Sequence, residues 1–275
     1  MGNLNSAAPF VRATVNYLRD TGQRPVTYAS AAAAPAGATP HERDPHPVQV
    51  AVHDARLLAS PARLDVQGFE RLDWPSEVAN LEDPAQVIEQ YYPETENLLK
   101  AVTGAAKVVI FDHTVRIDEP GREAKGLREP VRYVHNDQTP RSALRRVFDH
   151  LPAQEAEHRA GQRFAIINVW RPIGAPVYST PLALCDAQTV RPEDLVASDL
   201  VYPDKVGETF SFRANPAHRW YYYPRLRPEE VLLLKIHDSH EGGARLTAHT
   251  AFDDPATPAS APPRRSIEVR ALVFY

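Results

Sequence analysis

Cysteine is almost absent from this chain of 275 residues, in which Cys185 is the single example. One thiol cannot form an internal disulfide, and such low cysteine usage fits a reducing compartment. Cys185 lies in the apolar segment PLALCDA, which indicates a buried and unreactive thiol. The composition therefore excludes a small secreted scaffold held together by disulfides.

Long apolar runs and runs of basic charge are also missing. No segment approaches the roughly 20 apolar residues of a membrane-spanning helix, and the first residues lack the basic-then-apolar pattern of a signal peptide. The net charge is −4 and the arginines are interspersed with acids, which does not suit nucleic-acid binding. We expect a soluble cytoplasmic protein that binds neither nucleic acid nor membranes.

Helix signals are few. One helix is predicted at 84–102, with a kink at Pro93. A second begins after Thr139, a typical N-cap, with Pro140 as its first residue. Its predicted apolar stripe consists of Leu144, Val147, Phe148 and Leu151.

Strand signals dominate the rest of the chain, from about residue 107 onward. The predicted strands are KVVIFDHTV, VRYVHND, FAIINVW, PLALCD, HRWYYYP, VLLLKIHD, ARLTAHTAF and SIEVRALVFY. They show no alternation with helices, so we expect a mainly β protein with flanking helices, built as an antiparallel sandwich or barrel. One domain over 1–275 is expected, with a flexible Pro/Ala-rich loop at 29–47.

One polar pair interrupts the predicted strand VRYVHND. His135 and Asp137 share a face of that strand, with their Cβ atoms roughly 6 to 7 Å apart, which suits two ligands of one metal ion. The alternative interpretation is an ordinary histidine beside a helix-capping aspartate. Alone, the pair is a weak signal.

A second histidine from another strand would complete a metal site. His249 ends the strand ARLTAHTAF, and His218 opens the strand HRWYYY and stays an alternative. The order of H-x-D, a distant His249 and then R-x-S at the last strand matches the two-histidine-one-carboxylate triad of non-haem iron oxygenases. We expect no catalytic residue beyond these metal ligands.

The last strand supplies candidates for binding the carboxylate of a 2-oxo acid. Arg264 and Ser266 are two residues apart and can act together, and Arg270 is the reserve choice. The alternative is that Arg264 and Arg265 are solvated residues at the end of a loop. The candidates for the pocket lining are Asn168, Trp170, Arg171 and Tyr222, of which Arg171 is expected to need a buried anionic partner.

Seven segments carry a resemblance to a known family and cover most of the chain from about residue 85 onward. They are TGAAKVVIFDHTVR, VHNDQT, INVWRPI, PLALCDAQTV, HRWYYYP, HTAFDDP and PRRSIEVRALVFY. In these segments the chain resembles the hydroxylase/desaturase family, which includes gibberellin desaturase-like proteins and relatives of a cephalosporin 7-α-methoxylation subunit. These are regarded as iron(II)/2-oxoglutarate-dependent oxygenases.

The resemblance implies a double-stranded β-helix, Fe(II) and 2-oxoglutarate as cofactors, and O₂ and a small molecule as substrates. It implies His135, Asp137 and His249 as iron ligands, and Arg264 and Ser266 as the 2-oxoglutarate site. The resemblance does not decide between hydroxylation and desaturation of the substrate, which is expected to be a secondary metabolite. It is also compatible with a homodimer. Two alternatives remain: an O₂-dependent iron oxidase without 2-oxoglutarate, and a non-catalytic β-barrel that binds a small molecule.

Overall fold

The computed structural model describes residues 9–30, 32–37, 44–119 and 129–275. Its strands, in chain order, are β1 (Phe10–Leu18), β2 (Val26–Tyr28), β3 (Pro45–Asp54), β4 (Phe69–Asp73), β5 (Lys107–Ile117), β6 (His135–Asn136), β7 (Phe164–Pro172), β8 (Leu182–Cys185), β9 (Leu195–Val201), β10 (Val206–Phe212), β11 (Trp220–Tyr222), β12 (Glu230–Asp238), β13 (His249–Ala251) and β14 (Arg265–Phe274). The predominance of strands confirms the predicted fold class.

In the described ranges, four α-helical segments accompany the strands. They are α1 (Pro84–Gln86), α2 (Tyr92–Thr103), α3 (Pro140–His150) and α4 (Ala153–Ala160). One π-helical turn, Val87–Tyr91, joins α1 to α2, and short 3₁₀ turns occupy Ala55–Leu57, Ala187–Thr189 and Pro192–Asp194. Within the described ranges, no helix is both long enough and apolar enough to span a bilayer.

The strands form two sheets that share a core. The larger sheet has the order β1-β3-β11-β8-β13-β6-β10-β9-β2, and the smaller has the order β4-β12-β7-β14-β5. Leu184 from the larger sheet packs in one apolar cluster with Ile166 and Leu232 from the smaller. The outer face of the smaller sheet is covered by α2, through Leu98 and Leu99. The interior of the fold therefore lies between the two sheets.

The predicted strand VRYVHND is only partly a strand. Tyr133 forms an isolated bridge with Asn16 of β1, and regular pairing is confined to His135 and Asn136. After Tyr133 the chain leaves β1 and enters the gap between β13 and β10. There His135 lies opposite both His249 and Ser211. Because the chain changes partners midway, it cannot keep one ladder along its length.

The predicted loop at 29–47 ends earlier than expected. β3 begins at Pro45 and pairs with β1, with Asn16 opposite Pro47. The prolines at 45 and 47 suggested a loop because proline cannot donate to a ladder, yet the pairing with β1 includes both of them. Residues 31 and 38–43 of the predicted loop lie outside the described residues.

The predicted kink at Pro93 corresponds to the π-helical turn that precedes α2. Proline has no N–H to donate to the preceding turn, so the regular helix restarts there.

The start of α3 is also as predicted, because the Thr139 hydroxyl accepts the Ser142 N–H. The predicted apolar stripe was wrong at Leu144 and Phe148, which are 41% and 47% exposed. The helix packs instead through Ala143, Val147 and Leu151, four residues apart.

Cys185 is buried, as predicted. Burial raises the pKa of its thiol to about 12, so the thiol stays protonated and unreactive at neutral pH.

Candidate metal centre

The sheet register brings the two predicted histidines together. His249 of β13 lies directly opposite His135 of β6, and their ring centroids are 4.3 Å apart. His135 Nε2 lies 3.5 Å from Asp137 Oδ1. One ligand atom from each of the three residues falls within 4.8 Å of the others. This spacing can accommodate one metal ion.

Backbone carbonyls fix the orientation of both imidazoles. His135 Nδ1 lies 2.7 Å from the carbonyl oxygen of Tyr133, and His249 Nδ1 lies 3.0 Å from that of Thr247. A carbonyl can only accept, so each Nδ1 donates to it, and Nε2 is the ring nitrogen that would bind a metal ion. Outer hydrogen bonds of this kind are found around metal-bound histidines.

The two carboxylate oxygens of Asp137 have different neighbours. Its Oδ2 accepts hydrogen bonds from Asn168 Nδ2 at 2.8 Å and from Arg270 Nε at 3.0 Å, while its Oδ1 lies on the side of His135. Burial opposes ionisation, but the Arg270 charge, followed by the charges of the two histidines, outweighs it and holds the pKa of this carboxyl well below its usual range. Asp137 is therefore an oriented carboxylate with one oxygen free for a cation.

Arg270 holds this carboxylate as part of a wider network. Besides Asp137, its guanidinium donates to Glu268 Oε2 at 2.7 Å and to Asp112 Oδ1 and Thr114 Oγ1 at 3.0 Å each. These hydrogen bonds occupy four of the five N–H groups of the guanidinium. Arg270 therefore orients Asp137, and its reserve role in binding a 2-oxo acid stays a prediction.

Asn168 belongs to the same network. Its amide nitrogen also donates to Glu268 Oε1 at 2.9 Å, so it ties Asp137 to a second carboxylate. Asn168 thus supports a candidate ligand instead of lining a pocket surface.

Arg264 contrasts with Arg270 because its surroundings do not neutralise it. Arg264 is only 3% exposed, and among the described residues no carboxylate lies within ion-pairing distance of it. One nitrogen donates to the Thr180 carbonyl at 2.7 Å, but Arg264 Nε and the nearby Ser266 Oγ are buried without a hydrogen-bond partner in the described part of the chain. Burial lowers the pKa of Arg264 to about 9.

A buried cation beside an unpaired hydroxyl is costly unless an anion completes it. A carboxylate would satisfy both Arg264 Nε and Ser266 Oγ, so these residues fit the far carboxylate of a 2-oxo acid. Trp170 flanks the guanidinium, with its ring centroid 5.5 Å from the Arg264 Cζ. We call Arg264 and Ser266 the carboxylate clamp.

The backbone beside the clamp is strained. Thr180, whose carbonyl accepts from Arg264, has a φ of 48°, which is unusual for a β-branched residue and costs about 1–3 kcal/mol. Its hydroxyl donates to the Asp118 carboxylate, which holds it in place. Backbone strain of this kind clusters at active sites and ligand-binding sites.

Arg171 does not reach the interior. Along β7, Asn168 and Trp170 face the space between the sheets, and Arg171 points to the opposite face. There it donates to the Tyr91 hydroxyl at 3.0 Å and to the carbonyls of Pro228 and Trp74 at 2.8 and 2.6 Å. The expectation of an anionic partner was wrong, because neutral oxygens satisfy the guanidinium.

Tyr222 also lies on the wrong face for the site. Tyr221 is opposite Leu184, and Leu184 is opposite His249, so Tyr221 shares the face of the histidines. Tyr222 points the other way and packs edge-on against Phe252, with centroids 5.4 Å apart. His218, the alternative ligand, is bonded to Tyr17 and Asp194 and is not part of the triad.

The chain is similar to known proteins over nearly its full length. A family model described as an oxidoreductase/YMDC permease-like domain matches residues 15–274. The hydroxylase/desaturase efuI of Hormonema carpetanum is 34% identical, with 98% of this chain and 96% of the relative aligned. The Fe(II)/2-oxoglutarate-dependent dioxygenase nvfI of Aspergillus novofumigatus is 35% identical over 83% of this chain and 84% of its own.

A solved structure agrees with these sequences. The iron and alpha-ketoglutarate-dependent endoperoxidase NvfI superposes with a TM-score of 0.85 at 30% identity, over 97% of this chain and 98% of its own. The two sheets are accordingly those of a double-stranded β-helix, as the resemblance implied. The chain belongs to the hydroxylase/desaturase family of oxidoreductases, whose members include Fe(II)/2-oxoglutarate-dependent dioxygenases.

Proposed function

We propose that this chain is an Fe(II)/2-oxoglutarate-dependent oxygenase that hydroxylates or desaturates a small molecule of secondary metabolism. The observation that carries the proposal is the convergence of one ligand atom from each of His135, Asp137 and His249 within 4.8 Å, with other polar atoms of the three side chains bonded to protein groups. Two histidines and one carboxylate on one side of an ion leave its other positions open, as non-haem iron oxygenases require.

In this proposal His135, Asp137 and His249 hold the iron. Asn168 and Arg270 keep Asp137 Oδ2 occupied, so that Oδ1 is the oxygen presented to the metal. When bound, the iron and the 2-oxo acid supply the oxidant that removes hydrogen from a substrate carbon. The residues of the chain orient the reactants and exclude water.

Arg264 and Ser266 would bind the far carboxylate of 2-oxoglutarate. The support is the buried Arg264 guanidinium, which forms no ion pair with the described residues, and the Ser266 hydroxyl, which has no hydrogen-bond partner among them. This feature favours a 2-oxoglutarate-dependent enzyme over an oxidase that needs no co-substrate, because such an oxidase gives no reason for the unpaired cation. A non-catalytic binding protein would likewise have no need of the oriented triad.

Anaerobic titration with Fe(II) and then 2-oxoglutarate separates these alternatives. We expect iron to bind and 2-oxoglutarate to add a weak visible charge-transfer band. Iron binding without the band would favour the oxidase, and no iron binding would favour the accessory protein. Asp137→Ala should abolish iron binding, whereas Asp253→Ala, at an exposed position, should not. Iron binding of normal affinity by Asp137→Ala would refute the ligand assignment.

The remaining expectations concern the cellular setting. We propose that the enzyme works in the cytoplasm on a free small molecule with O₂, without a nucleic-acid or membrane partner. A homodimer is compatible with this proposal, and sedimentation of the purified chain would define its oligomeric state.

A further inference from the structure

A cavity of about 640 Å³ lies beside the candidate metal centre and does not include its three ligands. This volume is in the range of small-molecule sites. Its apolar wall comes from Val190, Leu195, Phe210, Ile236, Ala244 and Leu246. Most of the surface is therefore suited to hydrocarbon.

The larger sheet places this cavity on the far side of the triad from the carboxylate clamp. Thr180, just before β8, accepts from Arg264. In the middle of β8, Leu184 lies opposite His249. Just after β8, Ala187 lines the cavity. Along this strand the order is clamp, triad, cavity.

The smaller sheet gives the same order. Near the end of β7, Trp170 packs beside the clamp guanidinium, and Asn168 donates to Asp137. The neighbouring strand β12 pairs Leu234 with Asn168 and continues to Ile236 in the cavity wall. Both sheets therefore put the triad between the clamp and the cavity.

The cavity and the triad also share chain segments. Gln138, which follows Asp137 directly, lines the cavity, as does Leu246, close before His249. Asn136, between two ligands, donates to the Ile236 carbonyl at 2.9 Å and joins the cavity wall to the ligand segment.

Two buried polar side chains define what the cavity can recognise. Gln138 is 6% exposed, and its Oε1 has no hydrogen-bond partner in the described ranges. That oxygen can only accept, so a ligand that pairs with it must be a donor. His237 is also 6% exposed, and burial, followed by the charge of Arg245, lowers its pKa to about 4. It is neutral at physiological pH.

The charged side chains at the cavity rim do not require a charged ligand, because each forms an ion pair within the protein. The pairs are Asp65–Lys235, Arg191–Glu193 and Arg245–Glu241. The recognition surface is thus apolar and uncharged, with one unsatisfied acceptor.

We propose that this cavity holds the body of the oxidisable substrate, a neutral and mainly hydrocarbon small molecule with a hydroxyl or N–H group that donates to Gln138 Oε1. This inference rests on the proposed oxygenase function. The co-substrate and the substrate then approach the metal centre from opposite ends of the interior.

Binding of the fluorescent pair 1-hydroxypyrene and 1-methoxypyrene tests the cavity. We expect Ala244→Phe, which fills it, to weaken 1-hydroxypyrene binding at least tenfold, and Ala217→Phe, at an exposed position, to leave it unchanged. Val190→Phe, from another wall, should repeat the loss if the first variant folds poorly, as judged by thermal unfolding. Unchanged affinity in a folded filling variant overturns the proposal.

The same pair tests Gln138. The wild-type protein should prefer 1-hydroxypyrene over its methyl ether by about fivefold, the contribution of one hydrogen bond of about 1 kcal/mol. Gln138→Leu should remove the preference, and the exposed Gln154→Leu should keep it. Equal binding of both probes by the wild-type protein refutes the role of Gln138 Oε1.

A third measurement links the cavity to the metal. Under anaerobic conditions, 1-hydroxypyrene should perturb the band of the Fe(II)–2-oxoglutarate complex in the wild-type protein but not in Ala244→Phe. A probe that binds without perturbing the band overturns the substrate role while the proposed function stands. If the band never forms, the proposed function fails, although the cavity still binds the probe.

Discussion

Arg264 and Arg270 lie on the same face of one stretch of chain but have opposite surroundings. Arg270 donates to the carboxylates of Asp137, Glu268 and Asp112, whereas Arg264 has a carbonyl partner and an Nε without any partner in the described residues. A guanidinium that is neutralised by carboxylates of the protein belongs to the framework of a site. A buried one whose hydrogen bonds are incomplete indicates where an anionic ligand binds.

The largest effect should come from Arg270→Leu. The change would leave the half-buried Asp137 and the buried Glu268 as neighbouring carboxylates without their counter-charge, which should lower the free energy of unfolding by about 3–5 kcal/mol. Denaturant titration measures this loss. Fe(II) affinity should fall as well, because Asp137 loses its orientation. A variant as stable as the wild-type protein would remove the distinction between the two arginines.

Arg264→Leu should show the reverse pattern. Removing a buried and unpaired cation should leave the free energy of unfolding unchanged or higher. The affinity for 2-oxoglutarate should fall by about 100-fold, or about 2.7 kcal/mol, because a buried charge pair with the ligand is lost. Calorimetric titration of the anaerobic Fe(II) protein measures it. The control is Arg265→Leu, at the exposed neighbouring position. An equal loss of 2-oxoglutarate affinity in that control would contradict the assignment of Arg264 to the carboxylate clamp.

Asn168→Ala should have an intermediate effect on the metal. Without its amide, Asp137 Oδ2 keeps only Arg270, and outer hydrogen bonds of this kind typically contribute about 10-fold or more to metal affinity. We expect the dissociation constant for Fe(II) to rise at least tenfold. The affinity of the iron-loaded protein for 2-oxoglutarate should change little. A selective loss of 2-oxoglutarate binding would instead place Asn168 in the clamp.

Ser266→Ala should have the smallest effect. Its hydroxyl contributes one hydrogen bond to a bound carboxylate, worth about 0.5–1.5 kcal/mol. The affinity for 2-oxoglutarate should therefore fall about two- to tenfold, with iron affinity and stability unchanged. The same titration measures it, and an effect as large as that of Arg264→Leu would mean that Ser266 holds the arginine in place.

Particular residues show how far the sequence could be interpreted. His135, Asp137 and His249 could be grouped because H-x-D on a strand puts two side chains on one face, and the structure brings all three together. Arg171 and Tyr222 were misplaced because alternation specifies which residues share a face but not which face is the interior. The register of Tyr221 with Leu184 and His249 settles that question for Tyr222, and the contact of Arg171 with Tyr91 settles it for Arg171.

The partner of Arg270 was missed for a related reason. The sequence analysis treated Arg270 only as a reserve choice for the 2-oxo acid. Glu268 and Arg270 in the apolar strand SIEVRALVF were a signal that could have indicated a buried ionic network, but the strand alone does not show that Asp137, from a distant segment, completes it. By itself the sequence determined the strand-rich fold class, the α3 cap and the ligand types, because these follow from local periodicity and side-chain chemistry. The tertiary structure alone decided which arginine is neutralised and which is left for a ligand, because that depends on carboxylates brought in by other strands.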